Sequence, residues 1–233
     1  MRSPFQHRSP LVRQLAAWQP DSDGAEPPRA DVAERLGQWL NVADAIALSA
    51  LHQTLPRVKL RPRTRGEALP PPAELQADLQ RVRQALERAI VRHDSDLCEH
   101  EFALVHQHVL DLQRHMDMRI DALRDHVRHT LSAVSLPLAQ LAALDQALQP
   151  LLGGREQHLL STLPVHLKNR YARVRPAADA AGAADAPPPS VSHTLTAELH
   201  AMLRAELELR LQPVQALVDA YHQAGVPERP IAS

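Results

Sequence analysis

Fourteen histidines in 233 residues are the densest source of possible chemistry in this sequence. Seven of them lie between His93 and His129. Metal ligands on one helix must stand three or four residues apart so that their side chains converge. His108, Asp111 and His115 meet that spacing, and Asp125–His129 repeats the four-residue step. No complete metal motif follows. The Glu-x-x-His pattern of di-iron bundles is missing throughout the chain. His100–Glu101 opens a zinc-protease pattern, but Leu104 stands where the second histidine must be. The histidines therefore read as a solvated flank with weak ion pairs, and no metal is expected. His93 falls on an apolar stripe. It reads more simply as a register-setting polar residue than as a pH sensor.

Nucleophilic chemistry finds no frame either. Cys98 is the lone cysteine, in a polar stretch near His100, and reads as an idle or buried thiol. One thiol forms neither an internal disulfide nor a cysteine zinc site. The seven glycines fall in no phosphate-cradling loop and no Gly-x-Ser-x-Gly elbow. No catalytic residue and no cofactor are expected.

Two basic clusters remain. Arg57, Lys59, Arg61, Arg63 and Arg65 alternate along a stretch closed by Pro and Gly. Lys168, Arg170, Arg173 and Arg175 sit at the end of a helical segment, where the macrodipole already favours cations. Both are candidates for phosphate contacts, although no aromatics interleave to stack bases. The formal net charge of −1 supplies no overall field toward nucleic acid or anionic lipid.

The elements that would carry these groups are helices. Only six residues are Phe, Trp or Tyr, so the core must be aliphatic, which suits helix-on-helix packing. Twelve of the 20 prolines fall in Pro20 to Arg29, Pro56 to Pro72 and Pro176 to Pro189, which read as boundaries. Between them, Leu11, Leu15 and Trp18 mark a short helix. Asp31 with Glu34 forms a capping-box pattern for a second, with Leu36, Trp39, Leu40, Ile46 and Leu51 on its apolar face and a break at Asn41. Ala73 to Leu136 contains neither Gly nor Pro over 64 residues. Within it Val105, Val109, Leu112, Met116, Ile120, Leu123, Val127, Leu131 and Val134 form a stripe with an eleven-residue repeat, close to 3.67 residues per turn. Leu75, Leu79, Val82, Leu86, Ile90 and Leu97 take the same steps. Asp94 to Asp96 mark a bend or a fresh start between the two runs. Ser135 and Pro137 open a further helix that the pair Gly153–Gly154 should end, and Pro164 should kink the next. A last stripe runs Leu199, Leu203, Leu207, Leu211, Val214, Val218 and Tyr221. No stretch approaches the ~18 apolar residues of a membrane span.

The run DVAERLGQWLNVADAIALS from Asp31 to Ser49, together with LAQLAALDQALQPLL, NRYARVR and LRAELELRLQPV further on, resembles an uncharacterised proteobacterial domain-of-unknown-function family. The resemblance spans most of the chain apart from the proline-rich stretches. It implies a helical protein with no assigned activity and no functional residues to carry over. It also implies an association with gene neighbourhoods that encode membrane and OmpA-like proteins, and hence a place in a membrane-associated complex. Gly153–Gly154 departs from the unbroken helix that the resemblance leads one to expect.

The expected fold is all-α, an elongated coiled-coil-like bundle with a small N-terminal helical module and a tethered C-terminal helix. Its parts are the N-terminal module (1–55), a Pro/Arg-rich linker (56–72), a long-helix region (73–175), an Ala/Pro linker (176–190) and a C-terminal helix (191–224). The expected function is that of a non-enzymatic cytoplasmic scaffold or accessory protein that pairs helices with a second copy or another helical protein. The Val105–Val134 seam can be covered by the chain's own later helices, which share its step, or by a second copy. A homodimer or hetero-complex is expected over a free monomer. The alternative is a nucleic-acid-associated protein using the two basic clusters.

Overall fold

The computed structural model describes residues 10–18, 42–92, 102–179 and 189–225. Every regular element in those stretches is helical: α1 (Pro10–Trp18), α2 (Val42–Thr54), a 3-10 turn (Leu55–Arg57), α3 (Pro72–Val91), α4 (Phe102–Leu131), α5 (Leu136–Leu160), α6 (Leu163–Asp179) and α7 (Pro189–Gln223). The chain is all-α, as its periodicity requires.

The starts follow local chemistry. Pro72 occupies the first turn of α3 after an extended Pro71, where its missing N–H is not needed. Glu74 stands in that turn, favoured by the positive end of the helix dipole. Pro137 plays the same part in α5, whose first turn closes with the Ala139 N–H on the Ser135 carbonyl at 2.9 Å. With no Gly or Pro to interrupt it, α4 runs 30 residues, about 45 Å.

Two expectations are corrected. Gly153 and Gly154 do not end α5, which continues through them, and through Pro150, to Leu160. Glycine weakens a helix without a steric stop, and here the chain has neighbouring columns to hold it. Pro164 makes no mid-helix kink. The chain breaks at Ser161–Thr162 instead, which puts Pro164 in the first turn of α6, where proline is tolerated. The Ala/Pro stretch is also shorter than its composition suggests. α6 continues to Asp179 and α7 begins at Pro189, with the strong helix former alanine at Ala177 and Ala178.

Cross-helix bonds fix the directions of the columns. Arg124 and Arg128 of α4 donate to Asp145 of α5 at 2.8 and 2.6 Å, while Gln149 donates to Asp121 at 2.8 Å, so α4 and α5 are antiparallel. Gln113 and then Asp117 meet Glu206 and then Arg210, so α4 and α7 are parallel. Tyr221 donates to the Pro70 carbonyl at 2.6 Å and Arg83 meets Glu208 at 3.3 Å, so α3 and α7 are antiparallel. Arg170 of α6 reaches back to Glu198, so α6 continues the column of α5. The result is an up-down-up-down bundle of four columns, α3, α4, α5–α6 and α7. α1 lies against α7, with Leu11 buried.

The core is where these columns meet. Val109, Met116, Val127 and Leu131 of the α4 stripe are fully buried, Val105, Leu112, Ile120 and Leu123 nearly so, and Val134 is half-buried. They share one cluster with Leu75, Leu79, Leu86 and Ile90 of α3 and Leu203, Leu207, Leu211 and Val214 of α7. The seam read from the sequence is therefore filled by the chain's own helices. The Asp31–Glu34 capping box, Trp39, Asn41, His93, Asp94–Asp96, Leu97, Cys98, His100 and Glu101 lie outside the described residues, as do the side chains of Trp18 and Tyr171.

Candidate interaction surface

One flank of the bundle breaks the usual rule of apolar residues inward. In α2, Val42 and Ile46 are 77% and 65% exposed, while the one buried residue is Asp44. Leu48 and Leu51 are only half-buried. The helix is anchored at its far end, where Gln140 of α5 donates to the Leu55 carbonyl at 3.1 Å. A helix of Val, Ile, Leu and Ala held in this way leaves aliphatic surface in water.

The chain then crosses the end of the bundle as an irregular strap, residues 58–71. Its centre is Arg61. The Arg61 N–H donates to the Ser132 carbonyl at 2.8 Å, which joins the strap to the turn between α4 and α5. The Arg61 guanidinium forks onto both oxygens of Glu67. The Thr64 N–H and hydroxyl add bonds to the same carboxylate at 2.9 and 2.7 Å. The hydrogen bond from Arg61, followed by those from Thr64, holds the Glu67 carboxyl far below the ordinary carboxylate range. Gly66, at φ 92°, takes the left-handed conformation that this tight turn requires. The Tyr221 hydroxyl holds the Pro70 carbonyl at the other end.

This pinning sorts the first basic cluster. Arg61 is consumed as a structural tie. Arg57, Lys59, Arg63 and Arg65 are exposed, and among the described residues no hydrogen bond or ion pair engages their side chains. Leu60, among them, is 45% exposed. The second cluster is not assembled with the first. Lys168 is exposed, Arg170 is forked onto Glu198 at 2.9 and 2.8 Å, and the side chains of Arg173 and Arg175 lie outside the described residues. Glu198 and Tyr221, which mark the two clusters on α7, are separated by roughly 35 Å of helix.

The bundle interior holds a different polar system. Glu206 has no exposed surface. It accepts from Gln113 at 3.0 and 3.1 Å and from Arg210 at 2.9 and 2.7 Å. Arg210 also bonds Asp117. Burial raises the carboxyl of Glu206 despite the opposing pull of Arg210 and Gln113. Burial likewise raises Asp117 against Arg210, helped by neighbouring Asp121. At Asp145 burial pushes upward too, but the hydrogen bonds from Arg124 and Arg128 prevail and the carboxyl lies below its usual range. A cleft of about 360 Å³ opens beside this system, lined by Asp117, Asp121, Arg124, Gln149, Gly153 and Arg210. Both of its guanidiniums are bonded to the chain's own carboxylates, so the arrangement ties columns together and presents no free cation. His108 and His115 are half-buried on α4, and among the described residues no three His, Cys, Asp or Glu side chains converge on a metal position. No described helix is long and apolar enough to cross a membrane.

Sequence reasoning passed over one of these features and misplaced another. Glu206–Arg210 is a favourable i,i+4 pair immediately beside the α7 stripe, and that adjacency was the available signal for a buried tie. The outward turn of Ile46 corrects its place on an apolar face, since Ile46 is 65% exposed while Asp44 of the same helix is buried. Alanines around α2 leave its apolar face weakly defined in the sequence.

The chain matches, over residues 1–223, the family described as "Protein of unknown function (DUF3348)". No curated protein and no solved structure matches it.

Proposed function

We propose, from the premise that the chain belongs to this family of unknown function, that it is a non-enzymatic interaction protein of the cytoplasm. On this reading the four-column bundle is a rigid frame, and α2 with the strap is the face offered to a partner. The observation that carries the proposal is the pinned strap with the turn before it, where four exposed cations form no ion pair among the described residues. Four like charges within nine residues repel one another, and a partner that neutralises them removes that penalty. Isolated surface charges carry little meaning, whereas a fixed cluster beside exposed aliphatic side chains fits a docking face. The partner is another helical protein, within a membrane-associated assembly on the family resemblance. A second copy is the weaker reading, because the seam that favoured self-association is filled from within.

The test compares capture from the native host by the wild-type chain and by a variant with Arg57, Lys59, Arg63 and Arg65 all changed to Ala. A partner retained by the wild type and lost by the variant, at unchanged melting temperature, is the expected outcome. Identical captured sets would overturn the reading.

A further inference from the structure

The strap cations and the aliphatic side chains of α2 follow one another in the chain, and what they imply about a partner rests on the interaction reading above. We infer that this face takes an acidic amphipathic helix of a partner protein, with carboxylates meeting Arg57, Lys59, Arg63 and Arg65 and aliphatic side chains seated on Val42 and Ile46. Charge complementarity carries the first half. The 3-10 turn and the strap place four exposed cations within nine residues, none of them in an ion pair among the described residues. Three of the four are arginines, whose planar fork binds a carboxylate through two parallel bonds. The same fork is already seen in this chain at Arg61–Glu67 and Arg170–Glu198.

The uncharged half of the face separates protein from the other polyanions. Val42 to Arg65 contains no Phe, Trp or Tyr. Bases would find nothing to stack on, and a lipid interface would find no aromatic anchor. Val42 and Ile46 are one turn apart on α2, the spacing of anchors in helix-to-helix recognition. From Ile46 to Thr54 the helix rises about 12 Å before the strap begins, so a helix of about 20 residues, roughly 30 Å, reaches both parts.

The probes are two fluorescent peptides of about 20 residues with the same Glu and Leu content, one with all glutamates on a single helical face and one scrambled. A single-stranded DNA of equal charge and phosphatidylserine-containing vesicles complete the set. Binding to the full chain is read by anisotropy, and by co-sedimentation for the vesicles, at about 50 mM salt. The facial peptide should bind. The four-alanine variant should weaken it by roughly tenfold or more, and Ile46→Asp by a few-fold, both at unchanged melting temperature. Equal affinity for the scrambled peptide would overturn the proposal. Tighter binding of DNA or vesicles, lost in the four-alanine variant, would replace it with a general polyanion surface. A wild-type dimer dissociated by the same variant would assign the face to a second copy. If neither peptide binds while the host partner is still lost by the variant, the partner chemistry is wrong and the interaction reading stands. A host partner untouched by the variant removes that reading as well.

Discussion

Gln113 of α4 donates its side-chain amide to both carboxylate oxygens of Glu206 on α7, at 3.0 and 3.1 Å, between two parallel columns in the middle of the bundle. Glu206 has no exposed surface. Its charge is tolerable only because Arg210 completes the shell. Removing that partner leaves a buried carboxylate unpaired, so Arg210→Ala should cost about 3–5 kcal/mol near neutral pH. Glu206→Gln, which removes the buried charge, should cost much less. Urea denaturation of the two variants measures both, and equal costs would argue against a buried ion pair.

The same tie predicts a pH dependence. Glu206 and Asp117 have carboxyls raised by burial, so the folded state binds their protons more tightly than the unfolded state does. Their contribution to stability therefore rises as pH falls from above the folded pKa toward the ordinary value of 4.5 for Glu206. Arg210 opposes that rise, so its removal enlarges it. The deficit of Arg210→Ala should shrink on acidification from neutrality toward that value, as read from urea midpoints at each pH. A deficit that stays constant would contradict the assignment.

Asp145 should behave in the opposite sense. Its carboxyl is lowered by Arg124 and Arg128, so its contribution is fully present above the ordinary value of 3.8 and is lost as pH falls through the folded pKa. Asp145→Asn leaves nearly buried Arg128 with only the exposed carboxylate of Asp125 as its ion-pair partner. The expected loss is about 2–4 kcal/mol at neutral pH. The gap between wild type and variant should close only below the ordinary aspartate range. A gap that closes near pH 5, read from thermal melts, would sink the prediction.

Gly153 and Gly154 lie in the interior of a helix, with open space where a Cβ would stand. Each change to alanine should stabilise the chain by roughly 0.5–1 kcal/mol, through lower unfolded-state entropy and better helix propensity. A higher melting temperature for Gly153→Ala,Gly154→Ala is the expected result, and a lower one would mean that the helix does not pass through this pair.

Ile120 and Leu123 are 5% and 7% exposed within the core. Ile120→Lys with Leu123→Lys places two charges there without partners. The folded monomer itself should be lost. Circular dichroism should show no cooperative melt, and light scattering should show no folded species of smaller mass. A variant that keeps its helicity but halves in mass would show that the stripe serves a second chain.

The sequence by itself determined the helices and the inward faces of the bundle. A 3.67-residue period from Val105 to Val134 can be satisfied only by a helix buried along one side, and a core poor in aromatics, with Tyr221 buried in it, can be closed by matching aliphatic stripes. Proline and serine at Pro72, Ser135 and Pro137 placed two starts, because capping and first-turn geometry are local properties. Tertiary structure decided what fills a stripe, since periodicity states that a face is buried and not by whom. It also decided where a weak helix continues. The tendency of Gly153–Gly154 to end α5 is worth about 1 kcal/mol per residue, less than packing against neighbouring columns supplies. The basic run shows the limit most clearly. Five alternating cations look alike in sequence, and only the fold turns Arg61 inward onto Glu67 and leaves Arg57, Lys59, Arg63 and Arg65 to the solvent, because the carbonyl that anchors Arg61 belongs to Ser132, 71 residues further along the chain.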